Sequence, residues 1–417
     1  MKKLIAISVM CALVAGAAFA DTTFGGQIFV KGELLNGTNV NDTFPGTGAL
    51  GLDAYNTLVK MTFGDTTAGG WLGIHNGNGA WYHGFAWWRP IPQVKLQIGR
   101  NQDGDFGTAQ ISGWGFTGEA KNLTAMGEYK NTFLEGQGRD HSRTTGWYGG
   151  VGNWAIEMSL YPAEGLSINL AVPFDSSQSS AGFAFLKFHA QVQYRLTDIG
   201  TVNLTFQSDT GYLEGDADAW YGAAGVTDAA SSPKVFASFF LTAIDGMGVD
   251  IGVAYKFPFN NEATKTVTNH PFEVGLGFRY GQGDFGFKLR AGASFGESVV
   301  VDGADPVTGI TKISASILPT YKIGANTFYL FAGMGIQSVE DWEAAGVDAF
   351  FKETGDNSVI SWFVNPYILF PAGSMRFLVG FQLYSDGVKY PYYEKETLKY
   401  DPAKINWAIP LGFYTYF

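Results

Sequence analysis

The feature that most constrains the fold is an alternation of apolar and polar residues with a period of two. In Phe272–Tyr280, large apolar and aromatic residues occupy every second position, and Glu, Gly or Arg lies between them. The alternation stops at the sequence GQGD and resumes over Phe285–Ala293. Because successive side chains of a β-strand point to opposite faces, each segment is predicted to be a strand with one apolar face. The glycines of GQGD favour a hairpin turn between the two strands.

The same hairpin unit recurs along the chain. Alternating segments also cover Phe185–Leu196, Val249–Phe257 and Met375–Leu383, and short turns such as PAEG, DGMG and PAG join neighbouring segments. Longer polar segments, for example 209–232 and 337–357, separate one hairpin from the next. Up-and-down barrels have this order of short turns and long loops. The sequence therefore predicts an all-β fold, an up-and-down antiparallel β-barrel.

The N-terminus has the organisation of a secretory signal peptide. Lys2 and Lys3 precede an apolar run, and Ala18–Ala20 forms an A-x-A cleavage site. The alternative is an uncleaved membrane anchor, which needs about 20 apolar residues and no cleavage site. We predict that residues 1–20 are removed and that residues 21–417 form a single domain.

The composition excludes several kinds of chemistry and partner. Cys11 is the only cysteine and lies in the predicted signal peptide, so the mature protein has no disulfide, thiol-ligated zinc or thiol nucleophile. The formal net charge is −11, whereas a protein that binds nucleic acid needs a basic surface for the phosphates. Asp103 and Asp105 lie beside glycines, but the later Glu of an EF-hand calcium loop is missing. No metal and no cofactor is therefore predicted.

Three enzyme signatures overlap in one stretch of the chain. GQGDFG fits the dinucleotide pattern G-x-G-x-x-G and contains the kinase triplet at Asp284–Gly286, while GASFG fits the nucleophile elbow around Ser294. A dinucleotide site and a nucleophile elbow each need a strand followed by a helix. The residues after Gly286 instead alternate with a period of two, and no histidine can be assigned as a base for Ser294. The chain is therefore predicted not to be an enzyme.

The last residues complete the pattern. NWAIPLGFYTYF alternates as a strand and ends in the aromatic residue Phe417. With the signal peptide, the cysteine-free mature chain and the repeated hairpins, this sequence resembles the porin-like bacterial outer-membrane β-barrel proteins. The resemblance implies a transmembrane barrel with short periplasmic turns and long extracellular loops. Counting alternating segments back from Phe417 gives about 18 strands, with about 16 or 20 as the alternatives, since single-chain bacterial barrels have an even number.

The resemblance also implies partners and a constriction. The expected partners are outer-membrane lipids, small hydrophilic solutes or ions, the barrel-assembly machinery acting on the C-terminal strand, and further copies of the chain in a homotrimer. In general porins, a long acidic loop folds into the barrel. The segment Asn101–Asn122 resembles that loop by position and acidity, which makes Asp103 and Asp105 candidate constriction residues.

Charged residues repeatedly occupy the strand face opposite the apolar one. An Arg or Lys facing lipid costs about 2–4 kcal/mol at the bilayer midplane, so the charged face is predicted to line a water-filled pore. The wall is either non-selective or, through the basic residues, attracts anions. Aromatic residues at strand ends, Trp87 and Trp88 among them, are predicted to form interfacial girdles. The predicted pore-lining residues are Lys187, His189, Arg195, Asp250, Lys256, Glu273, Arg279, Lys288, Arg290 and Arg376.

The predicted function is passive diffusion of small hydrophilic solutes through a porin-like channel. Two alternatives remain open. One is an outer-membrane transporter of hydrophobic substrates of the fatty-acid type, which needs a plug inside the barrel. The other is a surface adhesin or structural barrel in which the long loops act and the lumen is closed.

Overall fold

The architecture consists of strands. The computed structural model describes residues 22–38, 53–77, 79–100, 154–173, 189–207, 234–256, 272–299, 307–338, 358–385 and 405–416. All regular secondary structure in these ranges is β-strand. None of these residues belongs to a helix long and apolar enough to cross a membrane.

Twenty strand segments follow one another along the chain. The first ten are β1 (Thr22–Thr38), β2 (Asp53–Gly64), β3 (Ala68–Gly77), β4 (Gly79–Ile91), β5 (Val94–Arg100), β6 (Trp154–Ala163), β7 (Leu166–Pro173), β8 (His189–Leu196), β9 (Gly200–Gln207) and β10 (Lys234–Leu241). The others are β11 (Met247–Lys256), β12 (Phe272–Gln282), β13 (Phe285–Val299), β14 (Val307–Ile317), β15 (Thr320–Ile323), β16 (Asn326–Ser338), β17 (Ser358–Ala372), β18 (Met375–Gly380), β19 (Gln382–Ser385) and β20 (Ile405–Tyr416).

The segments form one sheet whose pairings close into a ring. Neighbours pair in antiparallel fashion, and β1 pairs both with β2 and with β20. Segments β14 and β15 both pair with β13 and β16, and segments β18 and β19 both pair with β17 and β20. Each of these two pairs is one interrupted strand. The described residues therefore form an antiparallel barrel of eighteen spanning strands, which confirms the fold predicted from the sequence.

Prolines explain the two interruptions. The N–H of Leu330 donates to the carbonyl of Pro319 (3.1 Å), and the N–H of Phe381 donates to the carbonyl of Pro366 (2.9 Å). Proline has no N–H and cannot donate a second hydrogen bond to the neighbouring strand. The sheet therefore lacks one backbone hydrogen bond at Pro319 and one at Pro366. The register is the same on both sides of each interruption, so the wall continues through it.

Tight turns join the strands at one end of the barrel. The turn GQGD joins β12 to β13, and Gly283 has a φ of 58°, a conformation that favours glycine. In the turn between β2 and β3, Oδ1 of Asp65 accepts hydrogen bonds from the N–H groups of Ala68 (3.0 Å) and Thr67 (2.6 Å). These bonds to Ala68 and Thr67 hold the pKa of the Asp65 carboxyl below its ordinary value of 3.8.

The other end carries the longer connections, with one exception. The tight hairpin formed by β3 and β4 turns between Gly77 and Gly79, at the end where most neighbouring strands are joined by long polar segments. The short-turn, long-loop order predicted from the sequence therefore holds for the other hairpins of the described chain and fails for this one.

The two faces of the wall have the reverse of the polarity found in a water-soluble protein. On β11, Ile251 is 52% exposed on the outer face, and its neighbour Asp250 is 0% exposed on the inner face. Apolar residues are exposed on the outer face of the other strands as well, whereas buried Gln, Asn, Ser and Thr recur on the inner face. An apolar exterior with a polar interior is the arrangement of a barrel that spans a bilayer. The chain is therefore a transmembrane β-barrel.

Candidate functional site

The inner wall of the barrel is the candidate functional site, and six adjacent strands of it carry a connected set of polar side chains. Across β5 to β10, side chains of adjacent strands form hydrogen bonds that we call the polar ladder. These bonds join Gln97 Nε2 to Glu157 Oε2 (3.2 Å), Ser167 Oγ to Gln193 Oε1 (3.4 Å), Asn169 Nδ2 to Gln191 Oε1 (3.4 Å), Gln191 Nε2 to Thr205 Oγ1 (3.1 Å) and Asn203 Nδ2 to Ser238 Oγ (3.2 Å).

The polar ladder follows from the strand register. Gln191 is directly opposite Asn169 on one side and Thr205 on the other, so a single amide donates to one neighbour and accepts from the other. Buried polar groups are costly without such partners. The bonds keep these side chains against the wall.

Asp250 continues the inner wall on β11. The register places it opposite Phe240 on β10 and opposite Gly277 on β12. Its carboxylate lies over Gly277, because a Cβ built on that glycine would lie 1.6 Å from Oδ1 of Asp250. Glycine at position 277 therefore provides the space that the carboxylate occupies.

Two basic residues lie beside this carboxylate. Arg279 is two positions beyond Gly277 on the same face of β12, and it is directly opposite Lys288 on β13. Both side chains are partly exposed, and the carboxylate of Asp250 attracts the guanidinium of Arg279. Arg290 is directly opposite Gly277 in the register. The structure thus brings Asp250, Arg279 and Lys288 together at one place on the inner wall.

The other predicted pore-lining residues are more scattered. Arg195 and Arg376 are exposed and lie at the end of the barrel with the tight turns. His189, Lys256 and Glu273 lie at strand positions in β8, β11 and β12. Lys187, Asp103 and Asp105 lie outside the described residues. That these residues line a pore stays a prediction.

An aromatic sector lies on the other side of the ring from the polar ladder. Tyr329 and Tyr367 stack with ring centroids 4.6 Å apart and planes 2° apart, and Phe331 meets Phe363 edge to face at 4.6 Å. These four residues occupy inner-wall positions of β16 and β17. The sequence analysis missed them. The sequence did contain an indication of them: both faces of these two strands carry large apolar residues. A strand with one face toward water needs large apolar residues on its other face only.

One aromatic prediction was wrong. Trp87 and Trp88 are neighbours on β4, so their side chains lie on opposite faces and cannot both belong to an outer girdle. Trp88 is 53% exposed on the outer face. Trp87 is opposite Gln97 and Gly69 on the inner wall, where its ring lies over Gly69.

The residues of the enzyme signatures lie on β12, on β13 and in the turn that joins them. Ser294 lies within β13, directly opposite Glu273, and strand structure continues beyond it. The G-x-G-x-x-G glycines lie in and beside the hairpin turn between β12 and β13. Within the described ranges, no group of three or more His, Cys, Asp or Glu could hold a metal ion.

Comparison with known proteins identifies the fold. No family model and no curated protein matches the chain. Among solved structures, the chain is similar to OprD of Pseudomonas aeruginosa, with 9% identity, 96% of each chain covered and a TM-score of 0.50. It also matches an anion-selective porin from Comamonas acidovorans (9% identity, 95% of this chain and 100% of that chain, TM-score 0.47) and the outer-membrane channel DcaP of Acinetobacter baumannii (15%, 96% and 98%, 0.44).

At these identities the likeness is one of fold. It agrees with the closed eighteen-strand ring and its apolar exterior. The chain therefore shares the β-barrel fold of OprD, which is the fold that the resemblance in its sequence implied.

Proposed function

We propose that the protein is a channel for the passive diffusion of small hydrophilic solutes across the outer membrane, and that it is not an enzyme. The observation that carries the proposal is the reversed polarity of the closed wall, with exposed Ile, Val and Phe outside and the polar ladder inside. A polar inner surface that runs through an apolar band offers water-soluble molecules a path that lipid does not.

The test is conductance in a planar lipid bilayer. Mature protein, without residues 1–20, is refolded in detergent, and its folding is checked by heat-modifiable migration on a gel. We expect stable stepwise openings whose conductance scales with salt concentration, and none from heat-denatured protein. Folded protein that gives no stable openings would refute the channel and would favour a closed barrel that acts through its long loops.

Tyr329, the partly exposed member of the aromatic sector, favours a second candidate, the passage of solutes that carry an aromatic or apolar group. Aromatic rings stack on one another with about 0.5–1.5 kcal/mol beyond the area they bury. Benzoate is therefore expected to interrupt the current for longer than acetate at equal concentration. If benzoate and acetate interrupt the current for equal times, the second candidate is contradicted and the channel for hydrophilic solutes is favoured.

The homotrimer, the constriction by Asp103 and Asp105, and the recognition of β20 by the assembly machinery remain part of this proposal. Chemical cross-linking of the detergent-purified protein tests the first. A ladder that ends at the monomer would contradict the trimer.

A further inference from the structure

We propose that Asn365 is a specificity-determining residue of the channel, whose side-chain amide binds a neutral solute that carries hydroxyl groups, such as a sugar. The site lies in the aromatic sector of the inner wall, next to the pair formed by Tyr329 and Tyr367. The inference deepens the proposed channel function and rests on it.

The first step concerns the place of Asn365 on the wall. It follows Val364, which is 37% exposed on the outer face of β17, so the side chain of Asn365 lies on the inner face. Phe331 is directly opposite Asn365 on β16, and Phe363 and Tyr367 are two positions away on the same face of β17. Aromatic residues therefore flank this amide on three sides.

The second step concerns the hydrogen bonds of the amide. Asn365 is 1% exposed, and neither Nδ2 nor Oδ1 has a hydrogen-bond partner among the described residues. Asn203 of the polar ladder is also 1% exposed, but its Nδ2 donates to Oγ of Ser238 (3.2 Å). A buried polar group without a partner lowers the stability of a fold. Asn365 therefore destabilises the barrel as long as no solute is bound.

The third step concerns the kind of solute. The amide has N–H groups that donate and a carbonyl oxygen that accepts. A carboxylate only accepts and an ammonium group only donates, so each would leave one side of the amide without a partner. A hydroxyl group both donates and accepts. Asn365 therefore fits a neutral hydroxylated solute better than an anion or a cation.

The fourth step concerns access from the lumen. Tyr329 is partly exposed, and its ring stacks on Tyr367 with planes 2° apart. The pair formed by Phe331 and Asn365 is the next inner-wall pair of the same two strands. Binding sites commonly combine aromatic surfaces with a few polar groups. A solute that packs on Tyr329 reaches the buried amide by displacing a neighbouring ring, and the hydrogen bonds that then form offset that displacement.

The first part of the experiment measures stability. Asn365→Leu keeps nearly the same shape and removes both hydrogen-bonding groups, and Asn203→Leu makes the same change at an equally buried position whose amide has a partner. In urea unfolding in lipid vesicles, we expect the midpoint to rise in Asn365→Leu and to fall in Asn203→Leu. Opposite shifts show that the amide of Asn365 bonds nothing in the barrel without solute.

The second part measures interruption of the ion current in planar bilayers, with glucose as the probe. We expect glucose to interrupt the wild-type current and its interruptions to be about five-fold shorter in Asn365→Leu, the size of one lost hydrogen bond. Val364→Ala, a change on the outer face of the same strand, should match the wild type. Acetate, which only accepts, should interrupt the current of the wild type and of Asn365→Leu for equal times.

A midpoint of Asn365→Leu at or below that of the wild type, or a variant that does not fold, would overturn the inference, because the amide would then have a partner within the barrel. Equal glucose interruptions in the wild type and Asn365→Leu would also overturn it, and with a raised midpoint they would leave ordered water as the only partner of the amide. A wild-type protein without conductance refutes the channel itself, whereas a conducting wild type that glucose does not interrupt refutes only the site.

Discussion

The lipid-facing assignment of the outer wall can be tested with two isoleucines of one hairpin. Ile251 lies in the middle of β11 and is 52% exposed. Ile244 lies in the tight turn that precedes β11 and is 51% exposed. Because the two side chains expose the same fraction of their surface, replacing each with lysine makes the same chemical change at almost equal exposure. The variants differ only in their position along the barrel axis.

The expected cost follows from where each lysine would lie. At the bilayer midplane a lysine on the lipid face costs about 2–4 kcal/mol, and near the interface the cost falls to about 0–1 kcal/mol. We therefore expect Ile251→Lys to lower the free energy of unfolding by about 2–4 kcal/mol and Ile244→Lys by less than about 1 kcal/mol. In a water-soluble barrel, both exposed positions would accept lysine within about 0.5 kcal/mol.

The assay is reversible unfolding by urea in lipid vesicles, followed by tryptophan fluorescence. The midpoint multiplied by the slope gives the free energy, and an unchanged slope shows that the unfolded state is the same. In detergent micelles, we expect a smaller difference in unfolding free energy between Ile251→Lys and Ile244→Lys. A loss below about 0.5 kcal/mol for Ile251→Lys in vesicles would refute the assignment of this face to lipid.

Three further variants test the turns and the inner packing. Gly283→Ala is expected to cost about 1 kcal/mol of unfolding free energy because φ is 58°, whereas Gly281→Ala, which also has open space, should cost nothing. Asp65→Asn removes a carboxylate whose pKa is lowered by folding, so the stability it contributes is present above its ordinary pKa and lost below it. The stability difference from the wild type should therefore shrink as the pH falls from about 5 to about 3, and a constant difference would contradict this. Leu378→Ala, at a position that is 0% exposed, should cost about 2–5 kcal/mol, and a cost under about 1 kcal/mol would show that this inner position is not packed.

The outer face of the barrel was predictable from the sequence because it depends on local alternation alone. Every second residue of Phe272–Tyr280 or Val249–Phe257 is large and apolar, and lipid imposes that requirement on each strand separately. The turn at Gly283 was predictable for the same reason, since its glycines and the strands that it joins are adjacent in sequence.

Contacts across strands were not predictable in the same way. Asp250 was identified as an inner-wall residue, but its relation to Gly277 depends on a register set by two strands and the connection between them. A shift of one residue in that register would move every side chain of one strand to the other face. The aromatic sector was missed for a different reason, since Tyr329 and Phe363 interrupt the polar pattern that was used to recognise the inner wall.

Glycine has a second role in this barrel that the composition alone does not reveal. Three inner-wall side chains lie over a glycine that is directly opposite in the register: Asp250 over Gly277, Phe363 over Gly333 and Trp87 over Gly69. A Cβ at Gly333 would be 2.9 Å from the Phe363 ring, and one at Gly69 would be 2.3 Å from the Trp87 ring.

A large side chain paired with a glycine can lie along the wall instead of projecting toward the barrel axis. The space above these glycines contributes to the burial of Asp250 and Phe363, which are 0% and 6% exposed. It also means that the width of the lumen depends on these glycines as much as on the large residues. Alanine at Gly333 or Gly69 would turn a ring toward the axis, and single-channel conductance would register that change even where the barrel remained folded.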